Sequence, residues 1–201
     1  MMRGALSAFV VGALGIAALY AGTDGFNAFT SEQARRLAAL RAPHSPSPVR
    51  LEDQHGREFA LPEYEGKVVL VDFVYTHCLS LCRVAGAQLG AIVRRLAAQG
   101  LEHEVMVVSI SFDPLRDTPA VLGAHAGKLG ADSRHWRFAR PVNPAQLGPL
   151  LRTFGVVAIP DASGEFQHNG AVHVLARDGR LSAIYDYDRP DEVVRAVRQF
   201  L

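Results

Sequence analysis

A chain of 201 residues, 49% of them hydrophobic, is long enough for one domain with a real core plus appendages. Its 21 basic and 20 acidic side chains leave a formal net charge of +1. The basic residues fall in stretches such as RRLAAL at 35–40 and VRRLAAQ at 93–99, which read as solvated helix faces, so no nucleic-acid partner is expected.

Residues 4–22, GALSAFVVGALGIAALYAG, carry no charge. At about 1.5 Å per residue they make roughly 28 Å of helix, close to the thickness of a bilayer core. Leu19, Tyr20 and Ala21 form a poor cleavage site, so a transmembrane anchor is expected over 1–22 in preference to a cleaved signal segment. Arg3 precedes the span, while Asp24 and Glu32 follow it, which places residues 23–201 outside. Residues 23–48 are expected to hold a short helix from Thr30 to Ala42, with Thr30 and Gln33 spaced as a capping box, and then a semi-rigid linker over APHSPSPV.

The folded domain is expected over 49–201. VRLEDQHGREFAL predicts a hairpin around Gly56, and KVVLVDFVY a buried strand. Leu81 to Gln99 has apolar residues at helical spacing, and EVMVVSISF at 104–112 is a second buried strand. Thr118 caps a helix that opens with Pro119, HWRFAR is a short strand, and a helix is predicted from Asn143 to Phe154. A hairpin then pairs AVHVLA with LSAIYDY across Arg177-Asp178-Gly179, before a last helix from Pro190 to Leu201. Strands alternating with helices predict an α/β domain with a central mixed sheet flanked by helices.

The only two cysteines, Cys78 and Cys82, lie where the first buried strand turns into a helix, the arrangement of a thioredoxin-like fold. A helix amino terminus favours thiolate over thiol. One turn apart, the two sulfurs face the same way and can form a disulfide or clasp one soft metal ion. A purely structural disulfide there would add little stability, because the loop it closes is so short.

Three segments, KVVLVDFVYTHCLSLC at 67–82, SISFDPLRDTP at 109–119 and QHNGAVHVLARDGRL at 167–181, resemble the signature segments of the Sco/SenC family, thioredoxin-fold copper-delivery proteins of cytochrome c oxidase assembly. The resemblance runs from about Val49 to the end of the chain. It implies copper, as Cu(I) and also Cu(II), with Cys78, Cys82 and His168 as its ligands. Two thiolates and an imidazole suit Cu(I), whereas structural zinc normally takes four ligands.

The resemblance further implies a single-pass protein of the bacterial cytoplasmic membrane with its carboxyl-terminal domain in the periplasm. Its partners would be a cytochrome c oxidase subunit carrying the copper site and a periplasmic copper donor or thiol reductant. As a metallochaperone it would not be an enzyme. The alternative is a thiol-disulfide reductase that keeps oxidase-subunit cysteines reduced, with Cys78 as the attacking thiol. A peroxidase lacks support, because Thr76 is one residue too close to Cys78 for that chemistry.

The chain departs from the family pattern at two places. Arg83 stands where the family usually has proline, and Gln167 and Asn169 flank His168 where an aspartate and a small hydroxyl residue are common. Asp113 is implied to lie near the metal pocket without ligating, and Asp117 to favour the dipole of the Thr118 helix. His77 is expected at the rim, and His173, inside a strand on the face opposite Val172 and Val174, as a hydrogen-bonded structural residue. His44, His55, His103, His125 and His135 are expected on the surface.

Overall fold

The computed structural model describes residues 2–77, 81–161 and 165–201, with their side chains except those of 2–8 and 81–83. Two compact units are present, Met1–Ala42 and Pro43–Leu201.

The first unit holds α1 (Met2–Gly22) and α2 (Ser31–Arg41). Phe9, Val11, Leu14, Ile16, Leu19 and Tyr20 of α1 are exposed. Among the described residues no helix is long and apolar enough to cross a membrane, so the structure does not support the expected transmembrane segment. Thr30 caps α2 as predicted, its hydroxyl accepting from the Gln33 amide at 3.1 Å. The reciprocal bond differs from a simple capping box: the Gln33 side chain accepts from the amide of Phe29, not of Thr30, at 2.8 Å.

The second unit is built on a sheet ordered β2-β1-β5-β4-β3-β8-β9. Its strands are β1 (Leu51–Asp53), β2 (Glu58–Phe59), β3 (Val68–Val74), β4 (Val105–Ser111), β5 (Trp136–Pro141), β8 (Val172–Leu175) and β9 (Leu181–Tyr185). β3, β4 and β5 run parallel, while β1 and β8 pair antiparallel to the outer members of that trio, so the sheet is mixed as expected. Every residue of β3 and β4 is buried, the consequence of helices on both faces.

One face carries Val68, Leu70, Val107, Val172 and Val174 into a core shared with Leu89 and Ile92 of α3 (Leu81–Ala97), Leu122 of α4 (Pro119–Leu129) and Val193 and Val197 of α6 (Pro190–Phe200). On the opposite face Phe73 and His173 meet Phe154 of α5 (Leu147–Phe154), with ring centroids 5.2 and 5.3 Å from that phenyl ring. Alternation along β8 thus puts His173 opposite Val172 and Val174. Its Nδ1 lies 3.2 Å from the Val71 carbonyl, and the ring is fully buried.

The helix predicted from Asn143 is divided into a short 3₁₀ turn, Pro144–Gln146, and α5. Pro149 has no N–H to donate back to residue 145, so an α-helix through this stretch can begin only where proline falls in its first turn. The Pro-rich stretch is bound to the domain: the Leu181 amide donates to the His44 carbonyl at 2.8 Å, His44 Nε2 lies 3.0 Å from the Thr153 carbonyl, and Arg180 bonds to the Pro43 carbonyl. Two elements not predicted are a 3₁₀ turn at Leu61–Tyr64 and a separate hairpin of β6 (Ala158–Pro160) with β7 (Phe166–His168).

A carboxyl group is sealed within the sheet's core. Asp72, in the middle of β3, is 1% exposed, and its Oδ1 accepts from the Ser109 hydroxyl at 2.5 Å, which in turn accepts from Trp136 Nε1 at 2.9 Å. Its Oδ2 is buried with no hydrogen-bond partner among the described residues. Loss of hydration pushes the Asp72 pKa up to about 7 despite the Ser109 bond.

Candidate metal centre

The carboxyl ends of β3 and β4, side by side in a parallel pair, form the edge where α/β sites gather. β3 leads through Tyr75, Thr76 and His77 to Cys78, which lies outside the described residues. Cys82 falls in the first turn of α3, and its side chain is likewise outside the description.

The approach to the cysteines is held from below by Asp117. This fully buried carboxylate accepts from the Thr76 amide at 3.1 Å, the Thr76 hydroxyl at 2.5 Å and the Ser111 hydroxyl at 2.6 Å. Three donors offset the desolvation of a buried charge. The helix-dipole role expected for Asp117 is therefore incomplete, since its main contacts tie the loop after β4 to the loop after β3. Asp113 pairs with Arg116, and its amide donates to Ser111 Oγ at 3.0 Å. His77 is half exposed, with Nδ1 3.8 Å from Asp117 Oδ1, as befits a rim residue.

His168 arrives from another direction, as the last residue of β7, paired with Ala158. Its ring centroid lies 5.1 Å from that of Phe112 and 6.3 Å from that of Tyr75. Burial among these apolar rings lowers the His168 pKa, which keeps the imidazole neutral at physiological pH, the form that ligates metals. Gly170 lies close against the Tyr187 ring: a Cβ there would stand 3.0 Å from Tyr187 Cε2, and in ordinary contact, at 3.6 Å, with His168 Cε1.

A cavity of about 230 Å³ connects the parts. It is lined by Phe73, Val74 and Tyr187, by His168 and Gly170, and by Val84, Ala85 and Gln88 of α3. His168 and the opening turns of the helix that bears Cys82 are thus walls of one cavity. Among the described residues no group of three or more His, Cys, Asp or Glu side chains could hold a metal ion, and neither cysteine side chain is among them. The other histidines therefore assemble no competing site within the described part of the chain.

The contact of Asp117 with Thr76, 41 residues away, was not legible in the sequence, although both residues lie inside the signature segments.

The SCO1/SenC family model matches residues 38–201 of the chain. The human mitochondrial protein SCO2 homolog is 34% identical over 171 residues, covering 81% of this chain and 62% of its own length. The structure of ScoI from Bradyrhizobium japonicum with copper bound superposes with a TM-score of 0.65 at 24% identity, covering 79% of this chain and all of that one. BsSco, a member of the Sco family of cytochrome c oxidase assembly proteins in which a disulfide switch was identified, superposes with a TM-score of 0.70 at 21% identity over 79% of this chain and 94% of its own. At these identities the two structures show the fold alone, an α/β domain with a central mixed sheet.

Proposed function

Because the chain belongs to the SCO1/SenC family, we propose that it is a copper metallochaperone that binds Cu(I) through Cys78, Cys82 and His168 and hands it to the copper site of a respiratory cytochrome c oxidase. The observation that carries this reading is the cavity shared by His168 and the first turns of α3. The chemistry agrees: a neutral imidazole and two thiolates at a helix amino terminus form a soft, low-coordinate donor set. The copper bound in the Bradyrhizobium japonicum relative gives further support. Copper is cargo here. Incoming donors of the acceptor replace the three ligands in turn, the metal keeps its oxidation state, and no substrate bond breaks, so the protein is not an enzyme in this role.

Reduced chain titrated with Cu(I) is expected to bind one equivalent, with two sulfurs and one nitrogen in the X-ray absorption shell. Oxidation to a Cys78–Cys82 disulfide should abolish that binding, because each sulfur loses the charge the soft ion requires. Undiminished Cu(I) affinity in the oxidised chain would refute the dithiolate site.

A second reading, thiol-disulfide exchange with oxidase-subunit cysteines, is favoured by the place of Cys82 in the first turn of α3 and by the disulfide switch of BsSco. It needs both cysteines and can spare His168.

The proposal includes a periplasmic location, with attachment to the bacterial cytoplasmic membrane through residues 4–22. The uncharged run and the exposed Phe9, Val11, Leu14, Ile16 and Leu19 support it. A carboxyl-terminal reporter that works only in the periplasm should be active, and the mature protein should begin near Met1. A mature terminus at about residue 22 would overturn the attachment, since such a product has lost the apolar run.

A further inference from the structure

The hairpin that carries His168 is not part of the main sheet, because β6 and β7 pair only with each other among the described strands. Something else must fix its position relative to the end of β3. Asn169 fastens its base, accepting from the Val157 amide at 2.7 Å and donating to the Gly155 carbonyl at 3.1 Å. The other fastening is a phenol. Tyr75, 2% exposed and three residues before Cys78, donates its hydroxyl to the carboxylate of Glu165, three residues before His168. The same oxygen lies 3.4 Å from the amide of Phe166, which donates to it.

The ring of Tyr75 also packs on the hairpin, with centroids 5.2 Å from Phe166 and 5.1 Å from Phe112. Arg116, paired with Asp113, lies over the outer part of this cluster, 6.0 Å from the Phe166 centroid. One side chain therefore joins the strand that delivers the first cysteine to the strand that delivers the histidine, across 90 residues of chain. A hydroxyl-to-carboxylate bond at the margin of an apolar cluster is charge-assisted and poorly replaced by water. The backbone flanking His168 supplies no carboxylate, since Gln167 and Asn169 stand there.

We infer that Tyr75 and Glu165 are positioning residues for the metal centre: their hydrogen bond ties the His168 hairpin to the end of β3, and so places the imidazole to complete the Cu(I) shell. The inference rests on the copper reading above. Tyr75 touches no metal and acts only through His168.

The test is a double-mutant cycle on the full reduced chain, read as Cu(I) affinity by competition with a chelator. Tyr75→Phe keeps the ring and removes the hydroxyl, and it should weaken Cu(I) binding about 10-fold, the lower end of what outer supports of a metal ligand contribute. Glu165→Gln retains a carbonyl acceptor and should stay within about 3-fold of the wild type, while Glu165→Ala should match Tyr75→Phe. In a His168→Ala background, Tyr75→Phe should have no further effect, because the ligand it positions is gone.

The nitrogen contribution to the X-ray absorption shell should fall in Tyr75→Phe while both thiols still titrate. A Tyr75→Phe loss of equal size with and without His168 would overturn the inference in favour of a merely structural role. Wild-type affinity in both Tyr75→Phe and Glu165→Ala would do the same. If His168→Ala alone leaves Cu(I) affinity unchanged, it is the copper reading that fails. Should Tyr75→Phe not fold, Glu165→Ala in both backgrounds decides the question alone.

Discussion

Copper retention is expected to fall at least about 100-fold when His168 is replaced by alanine, beyond the 10- to 100-fold that outer supports of a ligand typically contribute. Oxidase copper loading in cells should fall with it. The two candidate mechanisms part at this residue. Both require Cys78 and Cys82, so cysteine variants cannot separate them, whereas His168→Ala removes a proposed ligand and neither sulfur. The two thiols should still form and exchange a disulfide at near wild-type rates, since attack depends on thiolate fraction and access.

His173→Ala is the control. That ring lies on the α5 face between Phe73 and Phe154, bonded to the Val71 carbonyl. Its removal should cost about 2–4 kcal/mol of stability, as for other large-to-small changes in a core, and leave copper binding intact. If a His168→Ala strain loads its oxidase normally while a Cys78→Ser strain cannot, thiol exchange is the working chemistry and the chaperone reading falls.

The largest expected effect on stability comes from Asp72. Its carboxyl is pushed from the ordinary 3.8 up to about 7 in the folded protein, chiefly by burial. The sign follows from proton linkage. Between those two values the folded chain holds a proton that the unfolded chain has released, so stability falls as pH rises through the window. Below it both states are protonated and nothing is lost, and above it the full penalty applies. A shift of that size corresponds to about 4 kcal/mol, at roughly 1.4 kcal/mol per unit.

Asp72→Asn keeps the shape and the acceptor for the Ser109 hydroxyl but cannot ionise. Relative to the wild type, its stability should be little changed near pH 4, gain steadily towards pH 7 and level off above. Denaturant unfolding at several pH values measures the difference, and any constant offset from the new amide cancels in its slope. A stability difference independent of pH would mean that the folded and unfolded chains release this proton at the same pH, so that burial does not raise the Asp72 pKa. Reduction state must be held constant during these measurements, because α3, which covers this face, also carries Cys82.

Local chemistry determined more of this fold than the distant contacts did. The buried strands β3 and β4, the helix α3, the Thr118 cap and the turn at Gly179 were all legible in the sequence, because each depends on a run of side chains or a φ value within a few residues. Thr118 accepts from the Val121 amide at 3.4 Å, and Gly179 takes φ 74°, as its place in a tight turn requires. The three signature segments and the cysteine spacing were legible for the same reason, as were the opposite faces of His173 and its valine neighbours.

What only the tertiary structure decided is how these pieces meet. β7 is three residues long and lacks alternation strong enough to announce a strand, so the hairpin bearing His168 exists only through its pairing with β6. Asp117 looks like a helix-start acid until the fold brings Thr76 to it from 41 residues away. Tyr75 reads as one more aromatic residue at the end of a buried strand until Glu165 arrives beneath its hydroxyl. Even Asp72, at first sight an interruption in an apolar run, acquires its raised pKa only once the folded chain excludes water from it. Burial and pairing across long loops are properties of the whole chain, because a group's solvent is set by whatever packs over it and not by its neighbours in sequence.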